Sequence, residues 1–208
     1  MENRLETGID VLDRKLDGGL PPGCVISYTA IPASQSELLL YELTAARGTL
    51  YITTERSKPV LKRALEDSPS SIGSPTIRHV TGDDPLEEAR QLVAALPEGA
   101  NLIIDTMDVL ERAPMDDYVS FLNDLKTRMV ETGSVAVLHC LESESQPENR
   151  ARTHHAADAV FTLQTAVTGT ELENRLTIPK FRNGGQPTES IKLELTEEVQ
   201  IDTSRDIA

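Results

Sequence analysis

The chain is 208 residues long, the size of one domain with a substantial core. Its 34 Asp and Glu against 20 Lys and Arg give a formal net charge of −14 at pH 7. Phosphate backbones demand clustered Lys and Arg, so this balance speaks against nucleic-acid binding as the main task.

In chain order, Ile9, Leu12 and Leu16 form one apolar stripe on a short helix. Gly18-Gly19 end it, and Pro21-Pro22-Gly23 turn the chain into a buried strand, Val25-Ile26-Ser27-Tyr28-Thr29. Residues 36–46 read as a helix with Leu38, Leu39, Tyr41 and Leu43 as its apolar positions. A β-rich run over 49–53 leads to a helix over 58–65 with Pro59 in its first turn. Residues 76–80 form a short strand, and Asp84 caps an amphipathic helix reaching Leu96. Asn101-Leu102-Ile103-Ile104-Asp105 is the strongest buried strand. Residues 118–130 follow as a helix with Phe121, Leu122, Leu125 and Met129 on one face, and 135–140 as another buried strand. This β-α-β-α order predicts an α/β fold, a largely parallel sheet with helices on both faces. The last third changes style. Runs at 159–164, 175–179 and 190–195 are separated by polar turns, which predicts an antiparallel extension. The charged connection over 142–152 reads as mobile, and the tail 202–208 as frayed, leaving 1–201 as a single domain.

Between the first strand and its helix lies Ala30-Ile31-Pro32-Ala33-Ser34-Gln35-Ser36-Glu37. A phosphate loop reads G-x-x-x-x-G-K-[ST] in this setting. Here Ala30 and Gln35 replace the two glycines, Ser36 the lysine, and Glu37 the metal-binding hydroxyl. Ser34 and Glu37 match the capping box S-x-x-E, which would satisfy the helix end with its own side chains. Glu37 would also set a negative charge where a triphosphate must lie. An ordinary capped helix is the alternative for these residues taken alone.

The opening Thr7-Gly8-Ile9-Asp10-Val11-Leu12-Asp13, with Gly18-Gly19-Leu20-Pro21-Pro22-Gly23, resembles the start of KaiC-type ATPases of the RecA superfamily. The resemblance continues over most of the chain and implies a RecA-like fold. Leu102-Ile103-Ile104-Asp105 looks like a Walker B strand, whose carboxylate Asp105 would help to hold Mg²⁺ in an active relative. Glu55, in Tyr51-Ile52-Thr53-Thr54-Glu55-Arg56-Ser57, matches the family glutamate that activates water; Arg56 stands where some members carry a second glutamate. An exposed carboxylate paired with a nearby arginine is the plainer alternative for Glu55. Ala157-Asp158-Ala159-Val160 and Ile178-Pro179-Lys180-Phe181-Arg182 are similar to two further family motifs. The resemblance implies that Lys180 and Arg182 reach a neighbouring subunit; spaced by two, they share one side of a strand. Gly184-Gly185 then mark a sharp turn.

The scaffold signatures with a degenerate Walker A loop lead to a non-catalytic, pseudo-ATPase reading. The protein would act as a scaffold, assembly or signalling partner, with no cofactor. An ATP-binding, Mg²⁺-dependent KaiC-like ATPase with a divergent loop is the alternative, and a DNA-binding recombination accessory protein a third. The family implies self-association, from dimer to ring or filament, or another protein partner. Aromatic residues make up 3% of the chain, Trp is absent and the basic residues are mostly Arg, which suits a high-salt cytosol. We read it as halophilic and archaeal, with an ordinary acidic mesophilic protein as the alternative. Cys24 and Cys140 read as core residues, and the spacing of His154 and His155 gives no metal site. No apolar run approaches a membrane span, and Met1-Glu2-Asn3-Arg4 is not a signal peptide, so a cytoplasmic location is expected.

Overall fold

Parallel strands buried on both faces need continuous apolar sequence, and two runs supply it: β1 (Val25–Ala30) and β4 (Asn101–Asp105) are buried at every position. In the computed structural model, which describes residues 4–68, 72–182, 185, 187–195 and 199–201, they lie inside one nine-stranded sheet. Its order is β3-β2-β4-β5-β1-β6-β7-β8-β9. β2 (Thr49–Thr53), β3 (Thr76–His79), β5 (Val135–Leu141) and β6 (Ala159–Thr168) run parallel with β1 and β4. β7 (Glu171–Phe181), β8 (Ile191–Leu195) and β9 (Val199–Ile201) extend the sheet antiparallel. The fold class is the expected α/β arrangement with an antiparallel C-terminal extension.

The period-two alternation of the strands builds two cores. Ile26, Tyr28, Tyr51, Ile103 and Val137 face α1 (Asp10–Lys15), α2 (Ser36–Leu43) and α3 (Lys58–Glu66). Ile52, Leu102, Ile104, Leu138 and Cys140 face α4 (Pro85–Ala94) and α5 (Met115–Thr132). Asp84 caps α4 as expected, accepting from the Glu87 N–H at 3.0 Å. Gly133, with φ +61°, closes α5 in the left-handed conformation that suits glycine. Both cysteines are buried and free.

Several elements depart from the expected bounds. α2 ends at Leu43, and the Thr44 hydroxyl turns back onto the Tyr41 carbonyl at 2.6 Å. α5 begins at Met115, and the β6–β7 strands run on into a long hairpin joined at 169–170. β9 has no counterpart in the sequence reading. The largest correction lies at 142–152. Its far end is the start of a helix, α6 (Arg150–Ala156), and Arg150 is 2% exposed. Arg150 Nε donates to both Glu111 carboxylate oxygens at 3.0 and 2.8 Å, Nη2 pairs with Asp108 at 2.8 Å, and Nη1 reaches the Leu141 carbonyl at 2.6 Å. Thr153 also donates to Glu111, and the Tyr118 hydroxyl lies 2.6 Å from Thr153 Oγ1. One buried guanidinium thus ties α6 to β5 and to the 3₁₀ turn at Leu110–Arg112. The 202–208 tail and Gly184 of the expected turn lie outside the described residues.

A buried ion pair broken on one side leaves an uncompensated charge, at a cost of about 3–5 kcal/mol. Arg150→Ala should therefore lower the urea midpoint by a corresponding amount, while substitution of the exposed Arg63 should leave it nearly unchanged.

Candidate functional site

The carboxyl ends of the parallel strands are where α/β sheets gather ligand-binding residues. β1 delivers the 30–37 loop to that end, β4 delivers Asp105, and β2 delivers Glu55 and Arg56. Register brings a fourth strand in, because Asp105 lies beside His139 of β5.

Asp105 is buried and fully engaged. Its Oδ2 accepts from Arg56 Nη2 at 2.5 Å and from the Tyr51 hydroxyl at 2.9 Å. Its Oδ1 lies 2.7 Å from His139 Nδ1. A carboxylate only accepts, so Nδ1 carries the proton of that bond; the opposite ring nitrogen, Nε2, is buried and has no hydrogen-bond partner among the described residues. The His139 ring stacks on Tyr28, with centroids 5.3 Å apart. Arg56 reaches onward to α2, where Nη1 donates to the Tyr41 hydroxyl at 2.7 Å and the guanidinium lies 5.8 Å from the Tyr41 ring centre. β2, β4, β5 and α2 are thereby joined through one carboxylate and one guanidinium.

The 30–37 loop does not form the expected capping box. The N-cap of α2 is Gln35, whose side chain makes no capping hydrogen bond, and Ser34 Oγ donates instead to the Ile31 carbonyl at 2.7 Å. Once Ser34 turns inward to close the Ile31–Ser34 turn, it no longer faces the first turn of the helix. Ser36, at the lysine position, is buried, and its carbonyl accepts from the Tyr28 hydroxyl at 3.2 Å. Glu37 is half-buried, and its charge adds to burial in raising the pKa of the Tyr28 hydroxyl.

The sequence profile of one protein family, described as "Family of unknown function (DUF7125)", matches residues 4–208. The chain belongs to this family. Curated proteins give no significant match to this DUF7125 sequence. Among the solved structures that share its fold are two archaeal proteins. The KaiC-like protein PH0186 from the hyperthermophilic archaeon Pyrococcus horikoshii OT3 superposes with a TM-score of 0.76 at 17% identity, covering 96% of this chain and 100% of that one. The flagellar accessory protein FlaH from Methanocaldococcus jannaschii gives 0.78 at 15% identity, covering 98% and 100%. The DUF7125 chain therefore has the RecA/KaiC-like fold that its opening motif implied. No helix among its described residues is long and apolar enough to cross a membrane.

The predicted site residues divide into groups. Asp105 and the 30–37 loop sit at the same end of the sheet as Glu55. Glu55 is exposed, and the neighbouring arginine pairs with Asp105 rather than with it. Lys180 and Arg182 do share one side, but within this chain they meet the end of α6. Lys180 Nζ donates to the His154 and His155 carbonyls at 2.8 and 2.9 Å, and Arg182 Nη2 to the His155 carbonyl at 3.0 Å. Cations on the last carbonyls of a helix satisfy groups that have no partner within it. Sequence reasoning missed Tyr41, Tyr51 and His139, and it noted Arg56 only as a departure from the family. The signal it could have used is the unusual polarity of His139 within an otherwise apolar strand.

Burial pushes the Asp105 carboxyl up, but the His139 hydrogen bond and the charges of His139 and Arg56 outweigh it and hold the pKa at about 2. A carboxyl depressed in the folded state contributes stability that is complete above its unfolded pKa and is lost as pH falls through the folded value. With an unfolded pKa of about 3.9, the linkage is worth roughly 2 kcal/mol. Unfolding free energies measured from about pH 4 down to about pH 2 should fall by that amount in the wild type beyond any fall in Asp105→Asn; parallel curves would show that Asp105 titrates normally.

Proposed function

We propose that this chain is a RecA/KaiC-like protein that neither binds nor hydrolyses ATP and works as a scaffold, assembly or regulatory partner. The observation that carries this reading is the Arg56–Asp105 ion pair. In an ATPase of this fold the carboxylate helps to hold Mg²⁺, which the phosphates share. Here both Asp105 oxygens already accept hydrogen bonds from Arg56, Tyr51 and His139. A guanidinium keeps its charge at any physiological pH, so a divalent cation would have to displace one positive charge while another stays close by. Burial disfavours charge on Arg56, but Asp105 together with the Tyr51 and Tyr41 hydroxyls outweighs it and stabilises the cation. The clamp on the phosphates is missing as well, since Ser36 occupies the lysine position and its side chain is buried. These residues do not fit Mg·ATP.

One observation favours the second reading, an ATP-binding protein with a divergent loop. The first turn of α2 carries no side-chain cap, so its N–H groups have not been claimed by Ser34. Such binding would still require Arg56 to leave Asp105. A cytoplasmic, high-salt setting and self-association fit the scaffold reading and the acidic composition.

Calorimetric titration with Mg·ATP in molar KCl separates the two. The scaffold reading expects no binding tighter than roughly 1 mM, about −4 kcal/mol. Low-micromolar binding, or phosphate release that falls in Glu55→Gln, would overturn it.

A further inference from the structure

α5 and α6 leave a groove of about 620 Å³ between them. Val119 and Leu122 of α5 give it an apolar floor, and Lys126, Arg152, His155 and Arg182 line it with basic groups. No Asp or Glu is among its lining residues, in a chain that has 34 of them. The buried Asp158 is shared by Lys126 at 2.5 Å and Arg182 at 4.0 Å. Arg152 pairs with no carboxylate among the described residues, and its Nη2 rests on the Met115 sulfur. The groove is thus a positive strip on a molecule of net charge −14.

Apolar surface continues along the same side of α5. Met115, Val119, Leu122, Lys126 and Val130 recur at helical spacing and share one face. Met115, Val119 and Val130 are three of the six large apolar side chains that the described residues expose. Single exposed apolar residues are ordinary, but three on one helix face beside a groove mark a contact surface. From Met115 to Val130 the stripe is about 22 Å long, at about 1.5 Å per residue.

We infer that this groove takes an acidic amphipathic helix of another protein. The helix lies along α5, with apolar side chains on Val119 and Leu122 and carboxylates on Lys126, Arg152 and Arg182. This inference rests on the partner role proposed above and names the surface and the partner's chemistry. Charge complementarity selects an anionic occupant, because the groove is basic on an otherwise acidic chain. Length selects a helix, since the stripe outreaches a small organic anion and matches about four helical turns. A nucleic acid fits less well. The groove has no Phe, Tyr or Trp on which bases could stack, and the net charge opposes phosphates. A second copy docked about a twofold axis would set these same cations against one another.

The chain has no Trp, so a peptide that carries one reports docking through its own fluorescence. The probe is a helical peptide of about 16 residues with Leu and one Trp at i, i+4, i+7 and i+11 and Glu on either side of them. In about 0.2 M KCl it should bind the full chain saturably, with a Kd of about 50 μM or tighter. Arg152→Glu and Val119→Asp should each weaken binding about tenfold or more while leaving the melting curve unchanged. Arg63→Glu, on exposed α3 surface, should leave binding as it is. The same peptide with Lys in place of Glu should not bind. No saturable binding of the acidic peptide overturns the inference, as does binding that Arg152→Glu leaves unchanged or that the Lys peptide equals. Tighter binding of oligo-dT, lost in Arg152→Glu, gives the groove to nucleic acid and overturns it too. So does an oligomer without peptide, seen by light scattering, that Arg152→Glu disperses, because the occupant is then a second copy. Each of these failures leaves the ATP question where it stands. Tight Mg·ATP binding would remove the scaffold reading and leave peptide binding at this groove intact.

Discussion

A carboxylate at the end of a buried strand cannot stay charged alone, and in this protein the group that neutralises it is Arg56. That pairing organises the end of the sheet around it. Tyr51 and His139 complete the hydrogen bonds of Asp105, His139 stacks on Tyr28, and Arg56 ties the cluster to Tyr41 on α2. The contacts come from several elements, so the cluster fixes β1, β2, β4, β5 and α2 relative to one another. A fold of this type ordinarily supports a metal ion and phosphates at this end. Here side chains of the same chain provide the positive charge beside Asp105.

The same substitution of internal partners for external ones recurs elsewhere. Lys180 and Arg182, which the family resemblance sends toward a neighbouring subunit, meet the carbonyls at the end of α6 in their own chain. Arg150 satisfies Glu111 and Asp108 from within the core. A protein with 34 acidic residues places its few buried cations where they cross-link elements, while most of its carboxylates face solvent.

Much of the fold was legible in the sequence. The strands at 49–53 and 101–105 fall at the expected residues, because short apolar runs with polar flanks leave a buried strand little freedom in its ends. The opening motif led to the RecA/KaiC-like fold through the resemblance rather than through periodicity. α6 was hidden, because its first residue is a charged arginine that reads as solvent-exposed until Glu111 and Asp108 are seen around it. The capping box was legible as a pattern but does not form, since Ser34 has a closer acceptor in the Ile31 carbonyl. Asp105 was found from its strand. Its partners were not, because Arg56, Tyr51 and His139 come from three other positions that only the sheet register brings together.

A chain that binds no ATP must keep Arg56 on Asp105 against competition from a metal–nucleotide complex. Crystals grown in the presence of Mg²⁺ and a non-hydrolysable ATP analogue test this most directly. Arg56 should stay on Asp105, and no phosphate density should appear against Gln35 and Ser36. Phosphates seated there, with Mg²⁺ beside Asp105 and Arg56 swung away, would contradict it.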